Sequence, residues 1–291
     1  MARLSRRRPR PHLVSFGDAR LVAAARRFRR QAKRFRAFST VKVFDQTQLD
    51  SSFFQRNADL LSPEVRGFGY WLWKPQIVLQ RLSELPHESI LFYADVGFHI
   101  NSRGRKRFWK WVAQFEESEE WVLAFQALPP RDFPEHDGRA LPDLADKVWC
   151  KGDAARFFSM GDHPELQTPT IGAGLFAVKN TPPARKFLAQ WLAVADQNRN
   201  LIDDSDSVFP NPPGFREHRH DQSLFSLFLK KYDLGLRLSA YEYWYPNKNG
   251  RGADWQALKT SPFLAKRDLG KKKNTFSRAM GCLRKIWWRR N

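Results

Sequence analysis

The sequence predicts an α/β domain with a mixed, mostly parallel central sheet flanked by helices. Its 291 residues are 42% hydrophobic, enough for a substantial buried core. Near the start, an apolar run, a helical pattern and a second apolar run follow in the order of a parallel βαβ unit. The stretch Ile90–Ala94 is apolar or aromatic throughout and runs into Asp95. Such a run is typical of a buried strand that delivers a carboxylate to the ligand-binding edge of a sheet.

The first elements follow from the spacing of apolar residues. Residues 13–16 are predicted to form a strand, and Gly17-Asp18 a turn with a helix N-cap. Between residues 19 and 38 apolar side chains recur every three or four residues, which predicts an amphipathic helix with arginines around its other faces. Residues 41–44 form the second predicted strand. Residues 66–75 contain two glycines and four aromatics and fit no regular element.

The remaining elements alternate between helices and strands. A helix is predicted from Pro75, because proline suits the first turn, and the strand at residues 90–94 follows it. Further along we predict a helix at 106–115, a strand at 121–125, a short helix after Trp149, a strand at 171–178, and helices at 184–194 and after Asp221. The proline-rich loop at 127–144 has the length of a lid or binding segment.

The net charge of +20 lies near the two ends of the chain. Residues 1–40 carry +12 and residues 265–291 carry +9, so the 224 residues between them carry −1. A duplex-binding domain usually carries its charge across a folded face. This distribution instead favours ends that contact an anionic surface such as phospholipid headgroups, and a nucleic-acid partner is not expected.

Cysteine content and hydropathy predict where the protein acts. Cys150 and Cys282 provide neither a disulfide framework nor metal-ligand spacing, which suits a reducing cytoplasm. The sequence contains no run of 18 apolar residues, so no membrane-spanning helix is predicted. The basic N-terminus lacks the apolar region of a signal peptide. We expect a basic extension at 1–11, one domain at 12–264 and a basic aromatic tail at 265–291.

The most polar cluster is residues 217–223, which read Glu-His-Arg-His-Asp-Gln-Ser ahead of an apolar helix. A histidine there can offer a neutral nitrogen to a divalent cation. Asp221 near a helix N-terminus should remain ionised, since the exposed N–H groups favour an anion. Residues 217–223 could instead be the capped start of a surface helix without a functional role. Asp95 could likewise be a carboxylate that only caps a turn.

Three segments carry a family resemblance. Residues 69–75 (Gly-Tyr-Trp-Leu-Trp-Lys-Pro), 93–97 (Tyr-Ala-Asp-Val-Gly) and 217–223 occur in this order. Together they resemble a family of bacterial GT-A-type glycosyltransferase-like proteins found with capsule and surface-polysaccharide genes, over about residues 12–245. The resemblance implies a Rossmann-like nucleotide-diphospho-sugar transferase fold, a nucleotide-sugar donor, a glycan or lipid-linked acceptor, and Mn²⁺ or Mg²⁺.

The resemblance also implies roles for individual residues. Asp95 matches the metal- or ribose-contacting aspartate, and His218 or His220 a further metal ligand. Asp221 and Gln222 resemble the pair beside the anomeric carbon and acceptor. The donor is expected to contact Ser15, Asp18, Lys74, Tyr93, Asp95 and Lys151. The glycine-bearing strand, Gly172, Ala173 and Gly174, is expected to line the acceptor pocket. The common motif has two aspartates, and here Tyr93 stands in place of the first.

The chemistry of transfer sets what these residues must do. A departing diphosphate gathers negative charge, so the site needs a cation or fixed donors nearby. In an inverting enzyme Asp221 would be the base, and in a retaining enzyme Gln222 would stabilise the donor face; both alternatives stay open. So do two other functions: a non-catalytic protein that binds nucleotide sugars, and a nucleic-acid binder that uses its basic ends.

The tail is predicted to contact a membrane. Residues 283–290 mix cations with Trp287 and Trp288, a pattern that partitions to a bilayer interface. We therefore expect a cytoplasmic protein with peripheral association at the inner face of the plasma membrane.

Overall fold

The computed structural model describes residues 10–128, 143–249 and 252–268. The main sheet is formed by β1 (His12–Phe16), β2 (Val41–Phe44), β3 (Ile90–Ala94), β5 (Val122–Gln126), β6 (Ile171–Lys179) and β7 (Leu236–Ser239). Its order is β2-β1-β3-β6-β5-β7. Among these strands only β6 is reversed, and it pairs antiparallel with both β3 and β5. The two short strands β4 (His99–Ile100) and β8 (Phe263–Leu264) form a separate ladder.

Helices cover both faces of the main sheet. They are α1 (Val22–Phe35), α2 (Ser51–Arg56), α3 (Gly67–Tyr70), α4 (Trp73–Ser83), α5 (Arg105–Glu117), α6 (Asp146–Trp149), α7 (Gly152–Phe157), α8 (Pro182–Gln197) and α9 (Asp221–Lys231). On one face α1 and α5 pack through Phe28, Phe35, Phe108 and Trp111. On the other, α4, α8 and α9 pack through Ile77, Trp191 and Phe225 among others.

The alternation of side chains along β3 explains its apolar sequence. Leu91 and Tyr93 join the core beneath α4, α8 and α9. Ile90, Phe92 and Ala94 join the core beneath α1 and α5. Because both faces are covered, each residue of the strand must be apolar or aromatic. The strand reaches its end at Asp95, the first residue of this stretch with an exposed side chain.

The structure confirms the predicted fold class, a mixed, mostly parallel sheet flanked by helices. The predicted βαβ unit is present, since β1 and β2 pair in parallel. The helix predicted at 19–38 is shorter: a 3-10 turn at Ala19–Leu21 leads into α1, which ends at Phe35. Residues 1–9, 129–142 and 269–291, which include most of the proline-rich loop and of the tail, lie outside the described residues. Within the described ranges no helix has the length and apolarity needed to cross a membrane.

Candidate active site

A cleft of about 370 Å³ opens where β1 and β3 end and α9 begins. Its inner end is apolar, with Phe16, Leu21, Trp71 and Trp73. The rings of Phe16 and Trp73 stack with centroids 4.0 Å apart. The remaining lining is mixed: Val96, Phe98, Ala173 and Ala265 are apolar, and the polar residues include Lys74, Asp95, Arg219, His220, Asp221 and Gln222. The fold therefore joins segments separated by more than a hundred residues at the carboxyl edge of the parallel strands, where open α/β sheets bind ligands.

Asp95 is the accessible carboxylate of the cleft. Its side chain is 39% exposed, and its Oδ1 accepts a 2.6 Å hydrogen bond from the Tyr93 hydroxyl. Its backbone N–H donates to the Gly174 carbonyl at 2.8 Å. A Cβ at Gly174 would lie 3.0 Å from Asp95 Oδ2, so glycine leaves room for the carboxylate. Tyr93 is fully buried, and its hydrogen bond fixes the orientation of the Asp95 carboxylate.

Lys74 and Asp221 form a buried ion pair beside Asp95. The Lys74 ammonium donates to Asp221 Oδ2 and, at 3.1 Å, to the Ala173 carbonyl. It also lies 3.5 Å from Asp95 Oδ1. Side-chain exposure is 3% for Lys74 and 7% for Asp221. One buried cation thus serves two carboxylates.

Burial and charge shift the pKa values of this pair. Burial by itself lowers the pKa of Lys74, but the charges of Asp221 and Asp95 outweigh it, so the net pKa is raised and the ammonium stays protonated. Burial raises the pKa of Asp221 from 3.8 to about 6, against the opposing effect of Lys74. Asp221 therefore titrates close to neutral pH, as a general base does.

The two predicted metal-binding histidines differ in what their ring nitrogens contact. His218 Nε2 donates to the Leu201 carbonyl at 2.9 Å, and its Nδ1 accepts from the Lys151 N–H at 3.3 Å. Burial lowers the pKa of His218 to about 3, so the ring is neutral with both nitrogens engaged. His220 Nδ1 donates to the Ile202 carbonyl at 2.7 Å. Its buried Nε2 makes no hydrogen bond to a described residue and lies 3.5 Å from Asp204 Oδ1.

The segment labelled α3 is a strained left-handed turn, and it holds aromatic rings against His220. Every residue of the segment 67–71 has positive φ, between 51° and 89°, although only two of the five are glycine. Left-handed backbone costs a residue with a side chain about 1–2 kcal/mol, and such strain concentrates at functional sites. The turn places the Tyr70 and Trp71 rings 5.1 and 5.6 Å from the His220 ring. His220 also has positive φ, 52°.

Arginines gather along the polar part of the cleft. Arg66, Arg219 and Arg267 all line it. Burial lowers the pKa of Arg219, and the nearby charges of Arg267 and Arg66 lower it further. The Arg219 guanidinium lies over the Trp149 ring at 4.1 Å, and Arg66 pairs with Glu217. Arg66 also lies 3.5 Å from Asp204, and Arg219 lies 3.7 Å from Glu217. Guanidinium groups are suited to binding a multivalent anion such as a diphosphate.

Of the residues predicted from the sequence, Lys74, Asp95, Ala173, Gly174, His220, Asp221 and Gln222 line this cleft, with Tyr93 directly beneath Asp95. Others do not line it. The Ser15 hydroxyl donates to the Ala94 carbonyl at 2.6 Å, inside the sheet. Asp18 caps the following turn by accepting from the Arg20 N–H at 2.8 Å. Both side chains thus form local hydrogen bonds outside the cleft lining, and their role as donor contacts stays a prediction.

Lys151, His218 and Gly172 also lie outside the cleft lining. The Lys151 ammonium is buried and donates to the backbone and side-chain oxygens of Asp203 and Ser205 at 3.2–3.3 Å, so it holds that loop instead of a phosphate. His218, with both nitrogens bonded, is a structural histidine. Gly172 is covered by the Tyr243 hydroxyl, 2.5 Å from where a Cβ would stand. The structure thus places these three residues apart from the cleft, and their predicted phosphate, metal and acceptor contacts stay predictions.

Sequence reasoning missed Arg66, Arg219, Arg267 and Tyr243. Arg219 lies inside the polar cluster 217–223, and its position between two histidines was the available signal. Arg66 adjoins the irregular glycine-aromatic segment. Arg267 and Tyr243 reach the cleft through the chain that leads into and out of β8, and no local pattern marks them.

The described residues provide few ligands for a divalent cation. No group of three His, Cys, Asp or Glu side chains in residues 10–128, 143–249 and 252–268 could hold a metal ion. Asp95 offers an exposed carboxylate to the cleft, whereas His220 Nε2 is buried beside Asp204. Mg²⁺ is commonly held by one or two carboxylates together with substrate phosphates, so Asp95 fits a cation whose remaining ligands come from a bound donor.

Comparison with known proteins shows similarity in fold. No family model matches the chain, and no curated protein matches it significantly. A glycosyltransferase involved in glycosylation of the major capsid of PBCV-1 is similar, with a TM-score of 0.50, 9% identity, and 94% of this chain and 100% of that chain covered. Mouse xyloside xylosyltransferase 1 has a TM-score of 0.45 and 14% identity, with 87% and 93% covered. GlyE of Streptococcus pneumoniae TIGR4 has a TM-score of 0.41 and 12% identity, with 96% and 60% covered. The chain has the GT-A glycosyltransferase fold.

Proposed function

We propose that this chain is a glycosyltransferase that moves a sugar from a nucleotide-diphospho-sugar donor to a surface-polysaccharide or lipid-linked glycan acceptor. The observation that carries the proposal is the cleft at the carboxyl edge of the sheet. It combines an exposed carboxylate, Asp95, a buried carboxylate of raised pKa, Asp221, and a group of arginines. Each meets one requirement of transfer from a diphosphate leaving group.

The two ends of the cleft suit the two ends of such a donor. The apolar end, with Phe16 and Trp71, offers flat rings to a nucleobase. Arg66, Arg219 and Arg267 provide fixed positive charge for the diphosphate as the glycosyl bond breaks. Asp95, which is preoriented by Tyr93, is available to ribose or sugar hydroxyls.

Asp221 is assigned to the acceptor side. Its carboxylate lines the cleft, and its pKa of about 6 leaves it mostly ionised at pH 7 and able to take a proton from an attacking hydroxyl. The adjacent Gln222 lines the same cleft and can donate to the sugar. Inversion through Asp221 is the chemistry that this geometry favours.

A divalent cation, Mn²⁺ or Mg²⁺, is proposed to bind at Asp95 when a donor is present, with the phosphates of the donor as further ligands. Such an ion would add positive charge at the diphosphate. The arginines and the Lys74 ammonium provide such charge from the chain itself.

Binding and turnover are tested separately. Thermal-shift titration with UDP-, GDP- and CDP-sugars, with and without MnCl₂, identifies the nucleotide, and sugar release or transfer is then followed by chromatography. We expect Asp95→Asn to weaken donor binding, and Asp221→Asn to retain binding while lowering turnover about 10²–10⁴-fold. Asp162→Asn, at an exposed position away from the cleft, is the matched control.

The outcomes separate the proposals. Failure of every nucleotide sugar to bind would overturn the assignment. Binding that survives without turnover under all conditions would instead support the non-catalytic alternative. Turnover that persists in both cleft variants would refute the assigned residues.

A further inference from the structure

The positive charge of the chain comes from three segments. Residues 1–10 contain five Lys or Arg, residues 22–36 contain seven and residues 269–291 contain eight, and none of the three contains an acid. The other 243 residues contain thirty cations and thirty acids. The whole excess of +20 therefore belongs to the three segments. The middle segment is not a terminus, since it forms α1 and the residue after it.

From Arg26 onward, every fully exposed residue of α1 is a cation. The opposite side of α1 is buried through Phe28 and Phe35 against the sheet. The exposed cations are Arg26, Arg29, Arg30, Lys33, Arg34 and Arg36. None of these six forms an ion pair with another residue of the described ranges. Fourteen helical residues extend for about 21 Å, so α1 presents a long row of unneutralised charge.

The N-terminal segment joins the fold at this row. A groove of about 520 Å³ lies between α1 and the start of β2, and all its charged residues are cations: Arg10, Arg29, Lys33 and Arg36. Arg10 is the first described residue of the chain. Residues 1–9, with four further arginines, are therefore attached at the basic helix.

The C-terminal segment joins the fold beside the same helix. Arg27 of α1 donates to the backbone carbonyl of Asp268, the last described residue, at 2.8 Å. His99 Nε2 lies 2.9 Å from the Asp268 carboxylate. The beginning of α5 also adjoins α1, since Arg105 Nε donates to the Phe35 carbonyl at 2.6 Å. Exposed Lys106 and Lys110 of α5 extend the basic surface.

We infer that the exposed cations of α1, with Lys106 and Lys110 of α5, form a docking surface for an anionic phospholipid bilayer. Phosphate groups of lipid headgroups complement a continuous row of unpaired cations, each of which favours binding. The C-terminal segment adds Trp287 and Trp288 between basic residues, and tryptophan partitions to the headgroup level of a bilayer. The cations would bind either a lipid bilayer or a nucleic acid, but the tryptophans favour the bilayer, which has an apolar layer beneath its phosphates.

This docking would bring the cleft close to the bilayer. Ala265 and Arg267 line the cleft, and the chain leaves the described fold at Asp268. If the protein is the transferase proposed above, its acceptor is then a lipid-linked glycan presented at the membrane surface. The docking surface itself does not depend on that activity.

Vesicle co-sedimentation of the full chain tests the inference without any sugar nucleotide. The vesicles are phosphatidylcholine alone and a 70:30 mixture of phosphatidylcholine and phosphatidylglycerol. Arg26→Gln/Arg30→Gln removes two charges from α1, and the control Lys186→Gln/Lys231→Gln removes two exposed charges from α8 and α9. The third variant is Trp287→Ala/Trp288→Ala. Binding to a labelled 30-nucleotide single strand is measured in parallel by anisotropy.

We expect binding to the mixed vesicles and not to phosphatidylcholine alone. The α1 pair should weaken the partition coefficient about 30-fold, and the control pair by no more than about twofold. The tryptophan pair should weaken vesicle binding while leaving oligonucleotide binding unchanged. Equal losses in the α1 and control pairs, equal binding to both vesicles, or tighter binding to the oligonucleotide with an unaffected tryptophan variant would each overturn the inference. Failure of the proposed transferase activity would leave these vesicle results unaffected.

Discussion

Replacing Lys74 with methionine tests the buried ion pair most directly. The substitution removes the ammonium and leaves Asp221, which is 7% exposed, without its cation. Removing one partner of a buried pair costs about 3–5 kcal/mol, because the remaining charge is desolvated and uncompensated. Water cannot screen the loss, since Lys74 is itself only 3% exposed. We therefore expect Lys74→Met to lower the free energy of unfolding by about 3–5 kcal/mol at pH 7.5.

Urea denaturation followed by tryptophan fluorescence measures this free energy. In the double variant Lys74→Met/Asp221→Asn no charge is left unpaired in the core, so most of the loss should be recovered. The exposed Lys186→Met on α8 is the control and should change stability by less than about 0.5 kcal/mol. A loss below about 1 kcal/mol for Lys74→Met, or a double variant no more stable than the single one, would refute the reasoning.

The pH dependence of this loss has a definite sign. The folded-state pKa of Asp221 is raised from 3.8 to about 6, so ionisation disfavours the fold as pH rises from 3.8 through 6. Without the Lys74 ammonium, burial of the ionised Asp221 carboxylate costs still more free energy in the folded state. The penalty of Lys74→Met should therefore be smaller at pH 5 than at pH 7.5, and a penalty that grows on acidification would contradict the assignment.

Three further outcomes are expected. Turnover should fall about tenfold between pH 7 and pH 5, because a base with a pKa of about 6 loses its ionised form; a flat profile would exclude Asp221. Gly174→Ala should weaken donor binding in calorimetry, since its Cβ would stand 3.0 Å from Asp95 Oδ2, whereas Gly161→Ala, with open space around it, should not. Tyr93→Phe removes the 2.6 Å bond to Asp95 and should weaken donor binding by about 1 kcal/mol; an unchanged affinity would show that Asp95 needs no such support.

Local sequence patterns were enough to predict most of the fold. The spacing of apolar residues and the capping residue Asp18 predicted β1, α1 and β2. The apolar run before Asp95 predicted β3. The reversed direction of β6 was not predictable, because nothing in its glycine-bearing sequence distinguishes an antiparallel strand from a parallel one. Strand direction depends on connections and neighbours that lie far away in the chain.

The sequence indicated cleft residues where a polar residue type stands at a strand end or a helix start. It did not indicate residues that only long-range packing brings to the cleft. Asp95 and Asp221 follow from a strand end and a helix start. Ser15 and Lys151 have suitable chemistry, but their hydrogen bonds go to the Ala94 carbonyl and to the loop at residues 203–205. Arg267 lies 172 residues after Asp95 in the chain, and only the folded chain places it in the same cleft.

The insertion of β6 between β3 and β5 determines when the cleft can form during synthesis. Ala177 pairs with Phe92 on one side and with Leu123 on the other. The strands β1, β2 and β3 can associate as soon as they leave the ribosome, but the two halves of the sheet stay separate until β6 has emerged. Pairings between such distant segments form slowly. A nascent chain that stops short of residue 171 thus carries Lys74 and Asp95 on a partial sheet, and the buried counter-charge for its lysine, Asp221, arrives 50 residues later.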